Sequence, residues 1–261
     1  MKYCIYLEYL GSEFHGWQSQ PSRNTIQDHL EHALKVYLKD DIKTLAASRT
    51  DSGVHAHEQV CVFSYEHEID RGKFFHAMRT LLPESVCIKK IEVVDERFHP
   101  INSSKGKAYR YSIWNHPNYV SPFLQNRVWH LRSPLDVAAM ERASKVLIGK
   151  HDFSSFTATD GCSKTFVREL LEIHFHHNNE LLEIWFVGKG FLKQMVRNIV
   201  GTLILVGQGK LNETELPAIL AARDRKAAGP CAPAQGLTLA KVFYEQFESA
   251  ELLKSSSQLH Y

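Results

Sequence analysis

Residues 3–37 read YCIYLEYLGSEFHGWQSQPSRNTIQDHLEHALKVY, and the strand and helix in this stretch set a pattern that recurs along the chain. Residues 3–9 alternate with the period of a β-strand, and Gly11 interrupts the alternation. Thr25 then begins a Thr-x-x-Asp helix cap with Asp28. The apolar residues beyond it recur at helical spacing: Ile26, Leu30, Ala33, Leu34 and Tyr37. The stretch therefore predicts a strand followed by an amphipathic helix.

The remaining elements follow from the same two periods. The first hundred residues add a predicted strand over 59–65, a helix that carries Phe74, Phe75, Met78, Leu81 and Leu82 and ends at Pro83, and a strand over 86–93. The rest of the chain adds a strand over 107–114, a helix capped by Ser133 with Pro134 at its first position and Gly149 past its end, strands over 167–176 and 180–187, helices over 191–206 and 215–222, and a strand over 238–244.

Two successive strand–helix–strand segments predict an α+β fold of two ferredoxin-like, βαβ-type halves. We expect their strands to form a mixed, mostly antiparallel sheet flanked by helices, with a central cleft. The polar residues 102–106 separate a predicted N-terminal domain, 1–104, from a C-terminal domain, 105–261. The serine-rich tail from Glu248 is expected to fray.

Length and composition indicate a folded protein, because 261 residues with 44% hydrophobic content can bury a substantial core. No apolar run approaches the roughly 18 residues that cross a bilayer, and the amino terminus lacks a signal-peptide pattern, so we expect a cytoplasmic protein. Five scattered cysteines without a Cys-x-x-Cys pair predict buried reduced thiols. A net charge of +2 does not by itself indicate nucleic-acid binding.

The most informative segment is the polar stretch 48–57, SRTDSGVHAH, which lies between apolar segments. Such a loop can present the Asp51 carboxylate from a rigid scaffold. For an arbitrary Asp-Ser-Gly the alternative is an ordinary turn, in which Asp51 caps its own backbone and Gly53 adopts positive φ. The spacing alone does not decide between the two interpretations.

A basic cluster is predicted just before or within the helix over 191–206, where Lys189, Lys193 and Arg197 stand four residues apart and would share one stripe. The stripe suits RNA phosphates, and it equally suits an ordinary solvated face. Arg197 differs because it lies among apolar neighbours, where a guanidinium usually needs a carboxylate partner. Asp51 is a candidate for that partner.

Residues 107–111, KAYRY, interleave basic and aromatic side chains, as segments that stack on nucleobases do. Strand alternation places Tyr109 and Tyr111 on one face and Arg110 on the other. The alternative is a strand with one aromatic core face.

A metal site is not predicted, because neither His55 with His57 nor the group His174, His176 and His177 shows a familiar ligand spacing. We expect no metal and no organic cofactor.

Taken together, these segments resemble the tRNA pseudouridine synthase A family over nearly the whole chain. The family's motifs occur in order: Gly11-x-x-Phe14-x-Gly16-Trp17-Gln18-x-Gln20, Arg49-Thr50-Asp51-x-Gly53-Val54-His55-Ala56, Phe98-His99, Lys107-Ala108-Tyr109-Arg110-Tyr111, His151-Asp152-Phe153-x-x-Phe156, Met195-Val196-Arg197-Asn198-Ile199-Val200-Gly201 and Ala232-Pro233-x-x-Gly236-Leu237. Seven motifs in the family's order are a strong signal.

The resemblance implies that Asp51 is the catalytic aspartate and Arg197 the arginine paired with it. It further implies that Tyr109 packs on the target base and that Arg49 flips the base or contacts RNA. We also expect His55, Lys107 and Lys193 to contact the substrate.

The resemblance also implies a tRNA pseudouridine synthase, an isomerase, that acts on uridines 38, 39 and 40 of the anticodon arm as a homodimer. Four positions depart from the usual family residues: Leu10, Ser48, Ser52 and Ile101. These departures concern RNA contacts and not the reaction.

Two other functions share features with this sequence. An aspartic hydrolase would need a second carboxylate about 3 Å from Asp51 to share a proton, and Asp160-Gly161-Cys162 is a poor second copy. A non-catalytic RNA-binding module is the other, since ferredoxin-like sheets with exposed aromatics also bind RNA. Product formation distinguishes the synthase from the binding module.

Overall fold

The computed structural model describes residues 1–159 and 163–245 of the chain. Asp160-Gly161-Cys162 and the tail from Glu248, which figured in the sequence analysis, lie outside these residues. The described strands are β1 (Lys2–Tyr9), β2 (Leu45–Ala46), β3 (His55–Ser64), β4 (Val86–Val94), β5 (Gly106–Asn115), β6 (Trp129–Leu131), β7 (Gly149–Asp152), β8 (Val167–Asn178), β9 (Leu181–Gly188) and β10 (Leu237–Phe243). The described α-helices are α1 (Ile26–Leu38), α2 (Arg71–Leu81), α3 (Val137–Ser144), α4 (Met195–Gly207) and α5 (Leu216–Ala222).

The chain divides into two compact units. Unit 1 comprises Met1–Ser104, Ser121–Trp129 and Pro233–Val242, and unit 2 comprises Lys105–Val120, His130–Ala232 and the described residues that follow Val242. Each unit therefore contains segments that are distant in sequence, and unit 1 is completed by a strand from near the end of the chain.

Unit 1 is built on β1, which pairs antiparallel with β3 on one side and β4 on the other. The strands β3 and β4 are consequently parallel to each other, with α2 as their crossover and β1 between them, which is a split βαβ arrangement. The late strand β10 pairs parallel with the start of β3. The side chain of Thr25 accepts the backbone N–H of Asp28, which confirms the predicted cap of α1. On the apolar face of this helix Ile26, Leu30, Ala33 and Leu34 are fully buried, whereas Tyr37 is half-buried.

Unit 2 repeats the split arrangement. Strand β9 pairs antiparallel with β5 and with β8, so that β5 and β8 are parallel, with α3 in the crossover between them. Helices α3 and α4 pack on each other. The predicted α+β class, with its ferredoxin-like halves and mostly antiparallel pairing, is thus confirmed.

Two predicted helix starts are wrong. Helix α3 is capped by Asp136, whose carboxylate accepts the Ala139 N–H at 2.9 Å, while the hydroxyl of Ser133 accepts a hydrogen bond from Gln208. Helix α4 begins at Met195 and not near 191, because Gln194 has a left-handed backbone with φ 60°. A residue in that conformation cannot continue a right-handed helix toward the N-terminus.

The burial expected for the cysteines is observed only in part. Cys4 and Cys61 are buried free thiols, whereas Cys87 is an exposed free thiol, so the prediction of buried cysteines is wrong there. Burial raises the pKa of Cys4 to about 12. Within the described ranges, no helix is both long and apolar enough to span a membrane.

Candidate active site

The Asp51 loop, residues 48–54, lies in unit 1 between β2 and β3. Its backbone makes hydrogen bonds to the segment 11–17 and within the loop itself. The Thr50 carbonyl accepts the Trp17 N–H at 3.0 Å, and the Gly53 N–H donates to the Phe14 carbonyl at 3.3 Å. The Asp51 carbonyl accepts the Val54 N–H at 3.1 Å, which closes a tight turn. The loop therefore holds a half-buried Asp51 by main-chain contacts.

The segment 11–17 packs against this loop, and close backbone contacts require glycine at two positions of the segment. A Cβ on Gly11 would lie 2.0 Å from the Val54 carbonyl oxygen. Gly16 has φ +88°, and a Cβ there would lie 2.7 Å from the Thr50 carbonyl oxygen. The first sequence motif thus fixes the position of the Asp51 loop. The sequence analysis missed this role, although glycines at such spacing can indicate a close backbone approach.

Buried polar side chains hydrogen-bond to the first residues of the loop. The Tyr9 and Thr50 hydroxyl groups hydrogen-bond at 2.8 Å. Gln59, which has no exposed surface, accepts the Ser48 N–H at 3.1 Å and donates to the Ser48 carbonyl at 2.6 Å. Because these bonds satisfy buried polar groups, they fix the chain on either side of Arg49, whose side chain is exposed.

His55 follows the loop as the first residue of β3, so strand structure begins inside the stretch that was predicted to be a loop. Its side chain is 4% exposed. Nδ1 accepts the Gly11 N–H at 3.0 Å, and Nε2 lies 3.1 Å from the Gln235 carbonyl oxygen. Desolvation lowers the pKa of His55 below its ordinary value.

Arg197 lies in unit 2, in the first turn of α4. Its Nε donates to the Ala232 carbonyl at 2.8 Å, and the Ala232 N–H donates back to the Arg197 carbonyl at 3.1 Å. A Cβ on Gly201, one turn further along, would lie 1.7 Å from the Pro230 carbonyl oxygen. The missing side chain lets residues 229–232 approach the helix closely enough to make the reciprocal bonds.

Asn198 and Thr202 hydrogen-bond this part of α4 to neighbouring segments of the chain. The fully buried Asn198 donates to the Phe156 carbonyl at 2.8 Å and accepts from Arg225 at 2.9 Å. The Thr202 hydroxyl accepts the Gly229 N–H at 2.9 Å. The late motifs therefore belong to one hydrogen-bonded assembly around the start of α4.

The predicted basic stripe on this helix is wrong. Lys189 and Lys193 precede α4, so they share no helical face with Arg197. Lys189 forms an ion pair with Glu169 at 2.8 Å. The Lys193 side chain is exposed, and its carbonyl accepts the Ala158 N–H.

The alternation expected for 107–111 is confirmed on β5. Arg110 forms a buried ion pair with Glu183 at 3.0 Å, and Tyr111 is fully buried. Tyr109 is 7% exposed, and its ring meets the Phe191 ring edge-on at a centroid distance of 4.9 Å. Desolvation, with a smaller contribution from the nearby Arg168, lowers the pKa of Lys107 to about 8.

Within the part of the chain that the structure describes, no three His, Cys, Asp or Glu side chains form a cluster that could hold a metal ion. The histidines at 174 and 176 lie on β8, where His174 hydrogen-bonds Glu172.

Comparison with known proteins identifies the family. A family model described as tRNA pseudouridine synthase matches residues 5–101 and 143–245. A tRNA pseudouridine synthase A of Ruminiclostridium cellulolyticum is 44% identical over 93% of this chain and 99% of its own, and the protein of that name from Acetivibrio thermocellus is 40% identical over 92% and 98%.

A third relative, tRNA pseudouridine synthase A of Brevibacillus brevis, is 42% identical over 92% of this chain and 98% of its own. The crystal structure of a Cbf5-Nop10-Gar1 complex matches with a TM-score of 0.36 and 12% identity over 77% of this chain and 45% of that one, a likeness too weak to inform fold or function. The family match covers both units and nearly the full length of these relatives, so this chain belongs to the tRNA pseudouridine synthase family.

Proposed function

We propose that this synthase converts uridines 38, 39 and 40 of the tRNA anticodon arm to pseudouridine, with Asp51 and Arg197 as its catalytic residues. The observation that carries the proposal is the Asp51 loop. Its backbone is bonded to Trp17, Phe14 and Val54, while the Asp51 side chain stays half-buried at the surface of the loop. A rigid backbone that presents one carboxylate is what a catalytic acid, base or nucleophile requires.

The reaction needs one ionised carboxylate and no redox chemistry. The C1′–N1 bond of uridine breaks, the uracil turns, C5 bonds to C1′, the hydrogen of C5 leaves to solvent and N1 gains a hydrogen. Asp51 either attacks as a nucleophile or removes the C2′ proton to form a glycal. The proposed role of Arg197 is to favour the ionised carboxylate by charge attraction and hydrogen bonding.

Substrate binding is proposed for Tyr109, Arg49, Lys107 and Lys193. An aromatic ring such as that of Tyr109 retains the detached uracil by stacking, and the basic groups contact phosphates. The target base must leave its stack first, which costs on the order of a few kcal/mol and is offset by these contacts. Action at neighbouring uridines calls for recognition of shape and backbone more than of base sequence.

Two further parts of the proposal concern the setting of the enzyme. We propose a homodimer that acts in the cytoplasm without a metal or an organic cofactor. Size-exclusion chromatography with light scattering gives the mass in solution, and activity after treatment with a chelator tests the absence of a metal. A monomer, or a loss of turnover on chelation, would contradict the respective part.

Site choice is tested with anticodon-arm transcripts that carry a single uridine at position 38, 39 or 40, and with a control that carries one only at a loop position outside this range. Carbodiimide labelling followed by primer extension locates pseudouridine at single-nucleotide resolution. We expect product at each of the three sites and none in the control. Modification of the control alone would refute the assigned positions, and tight tRNA binding without any product would favour the binding-module alternative.

A further inference from the structure

His55 was expected to contact RNA, but its geometry suits another task. The ring is 4% exposed, so it has almost no surface to offer a ligand. Both ring nitrogens lie within hydrogen-bond distance of backbone groups, Nδ1 with the Gly11 N–H and Nε2 with the Gln235 carbonyl. All three residues belong to unit 1.

The two backbone partners determine the tautomer. The Gly11 amide can only donate, so Nδ1 must carry a lone pair. The Gln235 carbonyl can only accept, so Nε2 must carry the proton. The neutral ring with its proton on Nε2 is therefore the only form of His55 that satisfies both bonds.

Both partners adjoin the Asp51 loop. Gly11 begins the segment 11–17 and lies directly against the Val54 carbonyl, which a Cβ at position 11 would approach to 2.0 Å. On the other side, a Cβ on Gly53 would lie 3.2 Å from the Ala234 Cβ, next to Gln235 in sequence. His55 thus ties together the two segments between which the loop turns.

We propose that His55 is a positioning residue, which fixes the Asp51 loop by joining Gly11 to Gln235 through its neutral Nε2-protonated ring. This inference rests on the proposed catalytic role of Asp51. The loop ends at Val54, so a shift of either segment would move the carboxylate. Misplacement of a reacting group by about 1 Å can lower a rate by about 100-fold.

Protonation of His55 would break the arrangement, since a second ring proton on Nδ1 would point at the Gly11 N–H. Desolvation lowers the pKa of His55, Arg127 and His57 lower it further by charge repulsion, and the carbonyls of Gln235 and Asn126 oppose these effects. The folded-state pKa lies below the ordinary value of 6.5. The contribution of His55 to stability is therefore complete above that value and is lost as the pH falls through the lowered pKa.

The tautomer can be observed directly in the parent protein. Labelling with ¹⁵N-histidine and long-range ¹H–¹⁵N correlation spectra at pH 7.5 distinguish a protonated from an unprotonated ring nitrogen, and the spectrum of His55→Asn assigns the signal. We expect Nε2 protonated and Nδ1 unprotonated. A proton on Nδ1, in either the neutral or the charged ring, would overturn the proposal.

Kinetics test the positioning role with variants that remove one or both bonds. The Oδ1 atom of Asn can still accept from Gly11, whereas Leu supports neither bond. In steady-state reactions on tRNA we expect kcat to fall about 100-fold for His55→Leu and about tenfold or less for His55→Asn, with KM within about twofold of the parent. His76→Asn, at an exposed position on α2 in the same unit, is the control and should keep the parent rate.

The outcomes separate this inference from the proposed function. A His55→Leu rate equal to the parent rate, or a loss confined to KM, would refute the positioning role alone. Normal turnover by Asp51→Asn in the same assay would refute the catalytic role on which it rests. If His55→Leu does not fold, the rate of His55→Asn and the tautomer of the parent decide.

Discussion

The Asp51 loop and the start of helix α4 present the two proposed catalytic side chains by different means. The loop is held by main-chain bonds to Phe14 and Trp17 and by buried side chains other than that of Asp51 itself. At the start of α4, the Arg197 side chain is part of the scaffold, because its Nε donates to the Ala232 carbonyl. The functional group of Arg197 thus also contributes to the fold, whereas the main-chain bonds that shape the Asp51 loop do not use the carboxylate.

This difference has an energetic consequence. Removal of a side chain that satisfies a buried carbonyl costs stability, whereas an isosteric substitution that leaves the main-chain bonds of a loop in place costs less. Substitutions in the two regions should therefore separate stability from turnover differently, and urea unfolding of each variant measures the free energy of unfolding.

The largest loss of stability is expected where backbone approaches backbone. Gly201→Ala would place a Cβ 1.7 Å from the Pro230 oxygen, and Gly16→Ala would combine a 2.7 Å approach to the Thr50 oxygen with a positive φ. We expect each change to lower the free energy of unfolding by about 2–4 kcal/mol. Gly72→Ala in α2 is the matched control, since its nearest neighbour would be 3.4 Å away.

That control should leave stability unchanged or raise it by about 0.5–1 kcal/mol, because alanine is the better helix former. Equal losses at Gly201 and Gly72 would show that the close approach of residues 229–232 to α4 does not limit the choice of residue. A loss of stability for Gly201→Ala but not for Gly16→Ala would show that the start of α4 depends on a close backbone approach and that the Asp51 loop does not.

A smaller loss is expected for Arg197→Ala, which leaves the Ala232 carbonyl without its guanidinium donor. We expect the free energy of unfolding to fall by about 1–2 kcal/mol and turnover to be lost. Arg142→Ala removes an exposed ion pair with Glu213 and should leave the free energy of unfolding close to that of the parent, because solvent screens the pair. If Arg197→Ala matched the parent in stability, the Nε bond would have no structural role.

Loss of the Tyr9 hydroxyl should affect the Asp51 loop modestly. Tyr9→Phe removes the 2.8 Å hydrogen bond to Thr50, and we expect a loss of about 1 kcal/mol with a measurable fall in turnover. Tyr65→Phe removes a longer bond, 3.4 Å, to the Leu38 carbonyl in the same unit and serves as the control. A fall in turnover for both variants would argue against a specific effect on the loop.

The smallest change in stability is expected for Asp51→Asn, which keeps the shape of the side chain and every main-chain bond of the loop. We expect the free energy of unfolding to change by less than about 1 kcal/mol. A loss as large as that for Arg197→Ala would show that the carboxylate is itself a structural support, and the contrast between the two regions would fail.

Much of the fold follows from local sequence patterns. The cap at Thr25, the strand alternation in 3–9 and 107–114 and the order of elements all depend on near neighbours, and the structure confirms them. The start of α4 could not be predicted in the same way. Its position depends on a left-handed Gln194, a residue type that seldom adopts this conformation.

The candidate site shows the same limit. The Asp51 loop and Arg197 stand out in the sequence, but their supports come from distant segments, such as Gln235 for His55 and Ala232 for Arg197. The parallel pairing of β10 with β3 brings residues near the end of the chain beside the Asp51 loop. Pairings at that sequence separation leave no periodic signal, so the burial of His55 between Gly11 and Gln235 could not be predicted.

Tritium release from C5 tests the catalytic role of Asp51 most directly. tRNA labelled with tritium at uridine C5 is incubated with the parent, with Asp51→Asn and with Asp41→Asn, whose exposed carboxylate pairs with Lys35. We expect tritium in the water from the parent and from Asp41→Asn at equal rates, and none from a folded Asp51→Asn. Release by Asp51→Asn at the parent rate would contradict the assignment of Asp51 as the catalytic carboxylate.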